Sequence, residues 1–249
     1  MRKSAFYIFL ISIFIFSACA KKQTVRPEGP YNAEASFAKA NALFENKDYD
    51  KAQKLFERIK AKDTTGLVAP LAELRIADTY QKKDEPDSAI DEYRKFLQVY
   101  PDHKFASYAQ YQIAVIYFSQ IEGYDRGFGA AKKALQEFET LRDLYPRNPY
   151  KDSVSMHISR CRYIMASYEF MVGDFYYKKK AYRGALGRFE GILANYPDFR
   201  RTAEVLYLAA NSAKALGYKD KAGLYLDQLQ RQYPESLFAA RARKELAKR

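Results

Sequence analysis

The sequence predicts an all-α solenoid of about five helix pairs, with one long helix before the fourth pair. Three observations support this prediction. The composition suits helices, since Gly (11) and Pro (9) are few among 249 residues and charged residues (29%) are interspersed with Ala, Leu, Tyr and Phe. Apolar residues recur at helical spacing along most of the chain. The same order of small, aromatic and proline residues also returns at intervals, which is typical of repeat proteins.

The first 18 residues have the pattern of an export signal. Arg2 and Lys3 precede the apolar run AFYIFLISIFIF. This run is shorter than a typical transmembrane helix. Cys19 follows Ser17 and Ala18 in a segment that resembles the processing site of bacterial lipoproteins. We therefore expect Cys19 to carry acyl chains such as palmitate, which anchor the mature protein to a membrane. The alternative is an ordinary signal peptide cleaved nearby, with Cys19 incidental.

Residues 19–34 are predicted to be the acylated cysteine and a tether, since Pro27, Gly29 and Pro30 oppose regular structure. The only other cysteine is Cys161, so an acylated Cys19 leaves no partner for a disulfide. The formal charge of +12 favours anionic lipid headgroups or an acidic protein partner. Nucleic acid is not expected as a partner of an exported chain.

The second helix of each predicted pair contains an alanine, a large residue four positions later, and a helix-ending proline in all but the first pair. The alanines are Ala52, Ala89, Ala134, Ala185 and Ala222. The large residues are Phe56, Tyr93, Phe138, Phe189 and Leu226. With the small residues that mark the preceding helices, this is the tetratricopeptide repeat (TPR) pattern without its tryptophan. Stacked units of this kind form a curved solenoid.

Two irregularities interrupt the repeat. The segment EGYDRGFG is inserted between the helices of the third pair and is predicted to be a flexible loop. Between Pro146 and Gly173 the junction is longer than elsewhere by about four helical turns. Because its apolar residues stay in phase, we expect one helix from about Asp152 to Lys178, with Cys161 buried and inert. Repeats one to three would then occupy residues 35–150, and the long helix with repeats four and five residues 151–249.

Residues with catalytic or metal-binding patterns are scarce. His103 lies in the loop PDHKF, and His157 has no second ligand at the next helical turn. Phosphate-binding, nucleophile and paired-cysteine motifs are missing from the sequence. We therefore expect neither an enzyme nor a bound cofactor or metal.

The first helices of repeats one to three are expected to line a concave groove that binds extended peptides. Its predicted residues are Phe37, Asn41, Phe44, Leu74, Asp78, Tyr108, Tyr111 and Phe118. The groove is aromatic and poor in cations, which suits the alternating side chains of an extended strand. The alternative is that many of these aromatics pack on neighbouring helices.

The segment GALGRFEGILANYPD, residues 184–198, places three glycines and one arginine in a predicted helix. Each glycine costs a helix about 1 kcal/mol relative to alanine. Gly184, Arg188 and Gly191 share a face, with Gly187 beside them, and no acidic residue lies three or four positions from Arg188. We expect a second protein to approach this low surface and pair a carboxylate with Arg188. Alternatively, the glycines admit a helix of the fifth repeat and Arg188 is only solvated.

Taken together, these features strongly resemble the BamD family of outer-membrane lipoproteins of the β-barrel assembly machinery. The most specific matches lie between residues 168 and 198. They are Tyr168, Glu169, Tyr176, Tyr177, Arg188, Glu190, Gly191, Tyr196, Pro197 and Asp198.

The resemblance implies a non-enzymatic protein at the periplasmic face of the outer membrane, anchored through acyl chains on Cys19. It implies that the first repeats bind unfolded barrel proteins and that the last repeats dock on the POTRA domains of a BamA-like barrel protein. In such proteins an arginine at the position of Arg188 faces that partner. The alternative is a periplasmic TPR scaffold of the Tol-Pal or peptidoglycan-coordination type.

Overall fold

A computed structural model of the protein describes residues 31–246, with side chains to residue 245. The predicted signal peptide, Cys19 and most of the tether lie outside these residues. From Ala33 onward the chain forms one compact unit. In the part described, its regular structure consists of helices alone, which confirms the all-α prediction. None of these helices is long and apolar enough to cross a bilayer.

Consecutive helices pack against each other along the whole array, as a solenoid of helix pairs requires. Their bounds are α1 (Ala33–Glu45), α2 (Tyr49–Lys62), α3 (Ala69–Lys82), α4 (Pro86–Val99), α5 (Ala106–Ser119), α6 (Phe128–Leu144), α7 (Lys151–Lys178), α8 (Tyr182–Asn195), α9 (Thr202–Ala215), α10 (Lys219–Gln232) and α11 (Leu237–Leu246). The first ten form five pairs, which confirms the predicted repeat.

A further helix follows the five predicted pairs. It is α11, which packs on α9 and α10. Its Ala239 and Ala242 are buried with Leu206 and Leu229. The last repeat would otherwise expose its apolar face, so α11 closes the stack.

The repeated alanines and aromatics form the spine of the core. Ala52, Ala89, Ala134 and Ala185 are fully buried, and so are the large residues one turn after them, Phe56, Tyr93, Phe138 and Phe189. A small residue beside a ring lets two helices approach while the ring fills the remaining space. Four of the five pairs also share one turn geometry, with a residue of positive φ between the helices. These residues are Lys47, Asp84, Lys180 and Gly217.

The third pair replaces that turn with a loop, residues 120–127. The sequence predicted the loop at residues 122–129, but Phe128 and Gly129 instead begin α6. Its backbone packs closely at Gly127, where a Cβ would lie 2.1 Å from the carbonyl oxygen of Gly123. Gly127 also donates its N–H to that oxygen at 2.8 Å. A backbone hydrogen bond therefore closes the inserted loop at Gly127, a position that only glycine can occupy.

The long helix α7 begins one residue before the predicted Asp152 and ends at the predicted Lys178. It joins two hydrophobic clusters. Val154, Cys161, Ile164 and Met165 complete the core of the second and third repeats, and Ala166 and Phe170 begin the core of the fourth and fifth. Cys161 is buried, and burial raises the pKa of its thiol to about 12, so the predicted inert thiol is what the structure contains.

Candidate functional site

The four predicted docking residues lie together on one exposed face of α8. Gly184, Gly187, Arg188 and Gly191 line a shallow pocket of about 370 Å³. The remaining lining residues are Glu169, Arg183, Asn195 and Tyr196. We call this surface the docking face. Its role in binding a partner stays a prediction.

Two of the three glycines have open space where a side chain would be. A Cβ added at Gly187 or Gly191 would meet no atom within 4 Å. At Gly184 it would lie 3.3 Å from the ring of Tyr176, which belongs to α7. The alternative that a helix of the fifth repeat packs on these glycines therefore fails for Gly187 and Gly191, because among residues 31–246 no helix approaches them.

Arg188 has a carboxylate partner that the sequence pattern did not reveal. Its Nη1 donates a hydrogen bond of 2.8 Å to Glu169 Oε2, which lies on α7. This hydrogen bond is the main cause that raises the pKa of Arg188. The guanidinium side chain is still 44% exposed, so the expectation of a lone projecting cation is corrected to an exposed ion pair. Since arginine has five N–H donors, other donors remain for an incoming carboxylate.

A pocket of about 380 Å³ lies on the first repeats, where the sequence predicted a peptide groove, and its binding of peptides stays a prediction. Four of the eight predicted residues line it, namely Phe37, Leu74, Asp78 and Tyr108. Three lining residues were not predicted, namely Leu71, Arg75 and Phe105. We call these seven residues the aromatic groove. Phe105 precedes α5 in a loop, so an alignment of helix positions could not include it, although its aromatic type was a usable signal.

Asp78 organises the polar end of the aromatic groove. Its Oδ1 accepts hydrogen bonds from the hydroxyls of Tyr93 (2.5 Å) and Tyr108 (2.7 Å). Its Oδ2 lies 3.3 Å from Nη1 of Arg75. Burial first, and then the negative charge of Asp78, raise the pKa of both tyrosines, so the hydroxyls stay protonated as donors. The groove floor is thus a rigid, internally satisfied network.

The other four predicted groove residues do not line the pocket. Phe44 is 8% exposed and packs against Tyr49. Tyr111 stacks on the ring of Tyr150 at 4.2 Å, between ring centres. These two rings are therefore part of the packing between elements and not of the pocket lining.

Phe118 and Asn41 were also predicted in the groove and do not line the pocket. The ring of Phe118 meets His157 of α7 edge-on, with ring centres 4.5 Å apart. Asn41 is half-buried outside the pocket lining, and its Oδ1 has no hydrogen-bond partner among the residues the structure describes. The aromatic groove is consequently smaller and less aromatic than the sequence indicated.

Comparison with known proteins supports the resemblance seen in the sequence. The model of the family described as "YfiO: Outer membrane lipoprotein" matches residues 31–224. "Outer membrane protein assembly factor BamD" of Neisseria meningitidis serogroup A is 25% identical over 240 residues, which cover 91% of this chain and 90% of that protein. The protein of the same name from Rickettsia prowazekii is 29% identical over 194 residues, covering 78% and 77%.

Solved structures include helical repeat proteins of similar extent. The structure titled "TPR2AB-domain:pHSP90-complex of yeast Sti1" aligns with a TM-score of 0.48 and 14% identity, over 83% of this chain and 80% of that one.

Proposed function

The chain belongs to the YfiO family of outer membrane lipoproteins, and from this premise we propose that it is an outer-membrane protein assembly factor of the BamD type. In this proposal the protein is anchored at the periplasmic face of the outer membrane through Cys19. The aromatic groove binds unfolded β-barrel proteins, and the docking face binds the POTRA domains of a BamA-like barrel protein. The proposed activity is binding, without a catalytic step.

The observation that carries the proposal is the exposure of the docking face. Gly187 and Gly191 have no atom near the place of a side chain, although each glycine costs its helix about 1 kcal/mol. Neither packing nor turn geometry explains that cost. Close approach of a second protein explains it, because a glycine surface lets another backbone come near. The Arg188–Glu169 pair beside the glycines then supplies both signs of charge for orientation.

The aromatic groove supports the substrate part of the proposal. Phe37, Leu71 and Phe105 form its apolar walls. The carboxylate of Asp78 already accepts hydrogen bonds from Tyr93 and Tyr108. A groove whose polar groups are already satisfied selects apolar and aromatic side chains of its ligand. Unfolded barrel strands carry such side chains on alternate positions.

Docking is tested by co-purification of the barrel protein from detergent-solubilised envelopes. Arg188→Glu places a second carboxylate beside Glu169, so we expect the barrel to be lost from the complex. Lys82→Glu, an exposed change of the same charge in repeat two, is the control and should retain it. Recovery of the barrel with Arg188→Glu would refute the docking part, and recovery of Tol-Pal proteins instead would favour the alternative scaffold.

Substrate binding is tested by photo-crosslinking at two positions of the aromatic groove, Phe37 and Phe105. Peptides with alternating aromatic residues should crosslink there and should not crosslink from Phe175, an exposed aromatic on α7. Equal crosslinking from Phe175 would contradict the assignment.

The anchor is tested separately. Cys19→Ala should abolish acyl labelling and release the protein, or leave an unprocessed precursor. Unchanged acyl labelling in this variant would show that Cys19 is not the modified residue.

A further inference from the structure

A third pocket, of about 490 Å³, lies between α7 and the segment that joins α8 to α9. It is lined by three arginines, two tyrosines and an exposed methionine. We call this site the arginine pocket, defined by Met156, Arg160, Arg162, Tyr163, Tyr196 and Arg200. Sequence patterns did not single it out, because its arginines come from two separate elements.

Aromatic rings hold the three guanidinium groups in place. The Cζ atoms of Arg160 and Arg200 lie 5.7 Å and 5.9 Å from the ring centre of Tyr163. The Cζ of Arg162 lies 5.8 Å from the ring centre of Tyr196. Such cation–π contacts restrict the side chains before any ligand binds. The entropic cost of ordering them on binding is thereby reduced.

Positive charge exceeds negative charge in the arginine pocket. In the described part of the chain, none of its three arginines pairs with a carboxylate. Arg201, the immediate neighbour of Arg200, does form such a pair, with Glu204 at 2.8 Å. One acidic side chain, Asp198, lines the pocket beside the three arginines. The site therefore attracts an anion.

The apolar part of the pocket decides what kind of anion fits. Met156 is 63% exposed, and the floor includes the buried residues Ala166 and Phe199. A free phosphate would leave this apolar surface in water. An acidic peptide can place a carboxylate on the arginines and an apolar side chain on the floor at the same time. Tyrosine, arginine and methionine are also enriched in protein interfaces.

We propose that the arginine pocket binds an extended acidic segment of a partner protein, with a carboxylate on Arg160 and Arg200 and an apolar side chain against Met156. The pocket adjoins the docking face at Tyr196, which lines both. It uses different charged groups, so the two sites are tested by different variants. The inference does not depend on the proposed function.

The test is fluorescence anisotropy of a labelled hexapeptide of alternating Asp and Phe, with the full chain in detergent at low salt. The double variant Arg160→Gln/Arg200→Gln should lower the affinity at least about tenfold, since it removes two charge-assisted contacts. Arg147→Gln/Arg241→Gln removes the same net charge elsewhere and should change the affinity by less than about twofold. A photo-crosslinker in place of Met156 should capture the peptide.

Three results would overturn the proposal. The first is unchanged peptide affinity in Arg160→Gln/Arg200→Gln, and the second is an equal loss in the charge-matched control. The third is binding of phosphatidylglycerol vesicles through these arginines in place of the peptide, which would make a lipid headgroup the occupant. Failure of the docking proposal is measured by co-purification of the barrel with Arg188→Glu, and failure of this one by the peptide affinity of Arg160→Gln/Arg200→Gln, so the two are distinguishable.

Discussion

The aromatic groove and the docking face are built on opposite principles. In the groove, Asp78 is 7% exposed and binds Tyr93 and Tyr108, so residues that form the site also hold the helices together. On the docking face, Gly187 and Gly191 contact no neighbouring helix and Arg188 forms one exposed ion pair. A substitution in the groove therefore changes stability and binding together, whereas a substitution on the docking face can change binding alone.

This difference also separates two kinds of evidence for function. A groove residue is retained for packing even if it binds nothing, so its burial says little about ligands. A glycine in open space weakens its helix without any packing gain. Gly129 and Gly223 are also unobstructed, so it is the grouping of Gly187 and Gly191 beside Arg188 that points to a partner. The following predictions test this contrast, from the largest expected effect to the smallest.

The largest effect is expected for Asp78→Ala. The variant leaves the hydroxyl of Tyr108 without its acceptor, and the fully buried hydroxyl of Tyr93 with only the longer contact to Gln81 Oε1 at 3.4 Å. We expect the free energy of unfolding to fall by about 2–4 kcal/mol, as measured by urea titration. Asp91→Ala, an exposed change on the next helix, should stay within about 0.5 kcal/mol. A similar, small effect of both changes would show that the groove network is not structural.

The next effect concerns Gly173, the glycine of the fourth repeat with the tightest packing contact. At Gly173 a Cβ would lie 2.8 Å from the ring of Phe189, which is fully buried and cannot move away freely. Gly173→Ala should therefore destabilise the protein by about 1–3 kcal/mol in thermal or urea unfolding, despite the better helix former. Gly129→Ala, where a Cβ would meet no atom within 4 Å, is the matched control. A stabilised Gly173→Ala variant would contradict this assignment.

Gly187→Ala should have the opposite sign. The new methyl group meets no atom within 4 Å, so the variant should be more stable by up to about 1 kcal/mol, while co-purification of the partner weakens. Gly223→Ala on α10 is equally unobstructed and should give the same gain without loss of partner. If both variants keep full binding, the low surface of α8 is not what the partner contacts.

The smallest effect is expected for the Arg188–Glu169 pair in the free protein. Its two side chains are 44% and 19% exposed, so solvent screens their attraction. A double-mutant cycle with Arg188→Gln and Glu169→Gln should give a coupling energy of about 0.2–1 kcal/mol. A coupling energy above about 2 kcal/mol would show that the ion pair stabilises the fold as the buried hydrogen bonds of the aromatic groove do.

Much of the fold could be predicted from the sequence because it depends on periodicity within one segment. The apolar stripe of α7 predicted a start at Asp152, and the helix begins at Lys151. The helix α11 was missed because it lies beyond the last proline of the repeat and follows no repeated position. The sequence also could not predict in which direction the aromatic side chains of the predicted groove point. Tyr111 turns to Tyr150 and Phe118 to His157 because α7 lies where it covers them.

By itself the sequence determined the helix pairs, the core positions and the shared face of Gly184, Arg188 and Gly191. These properties follow from the helical period of 3.6 residues and need no neighbouring helix. Only the tertiary structure decided that Glu169 pairs with Arg188, that Gly187 and Gly191 stay uncovered, and that Arg160 and Arg200 meet over Tyr163. These contacts depend on how helices are rotated and spaced against each other, which the packing of large side chains between them sets.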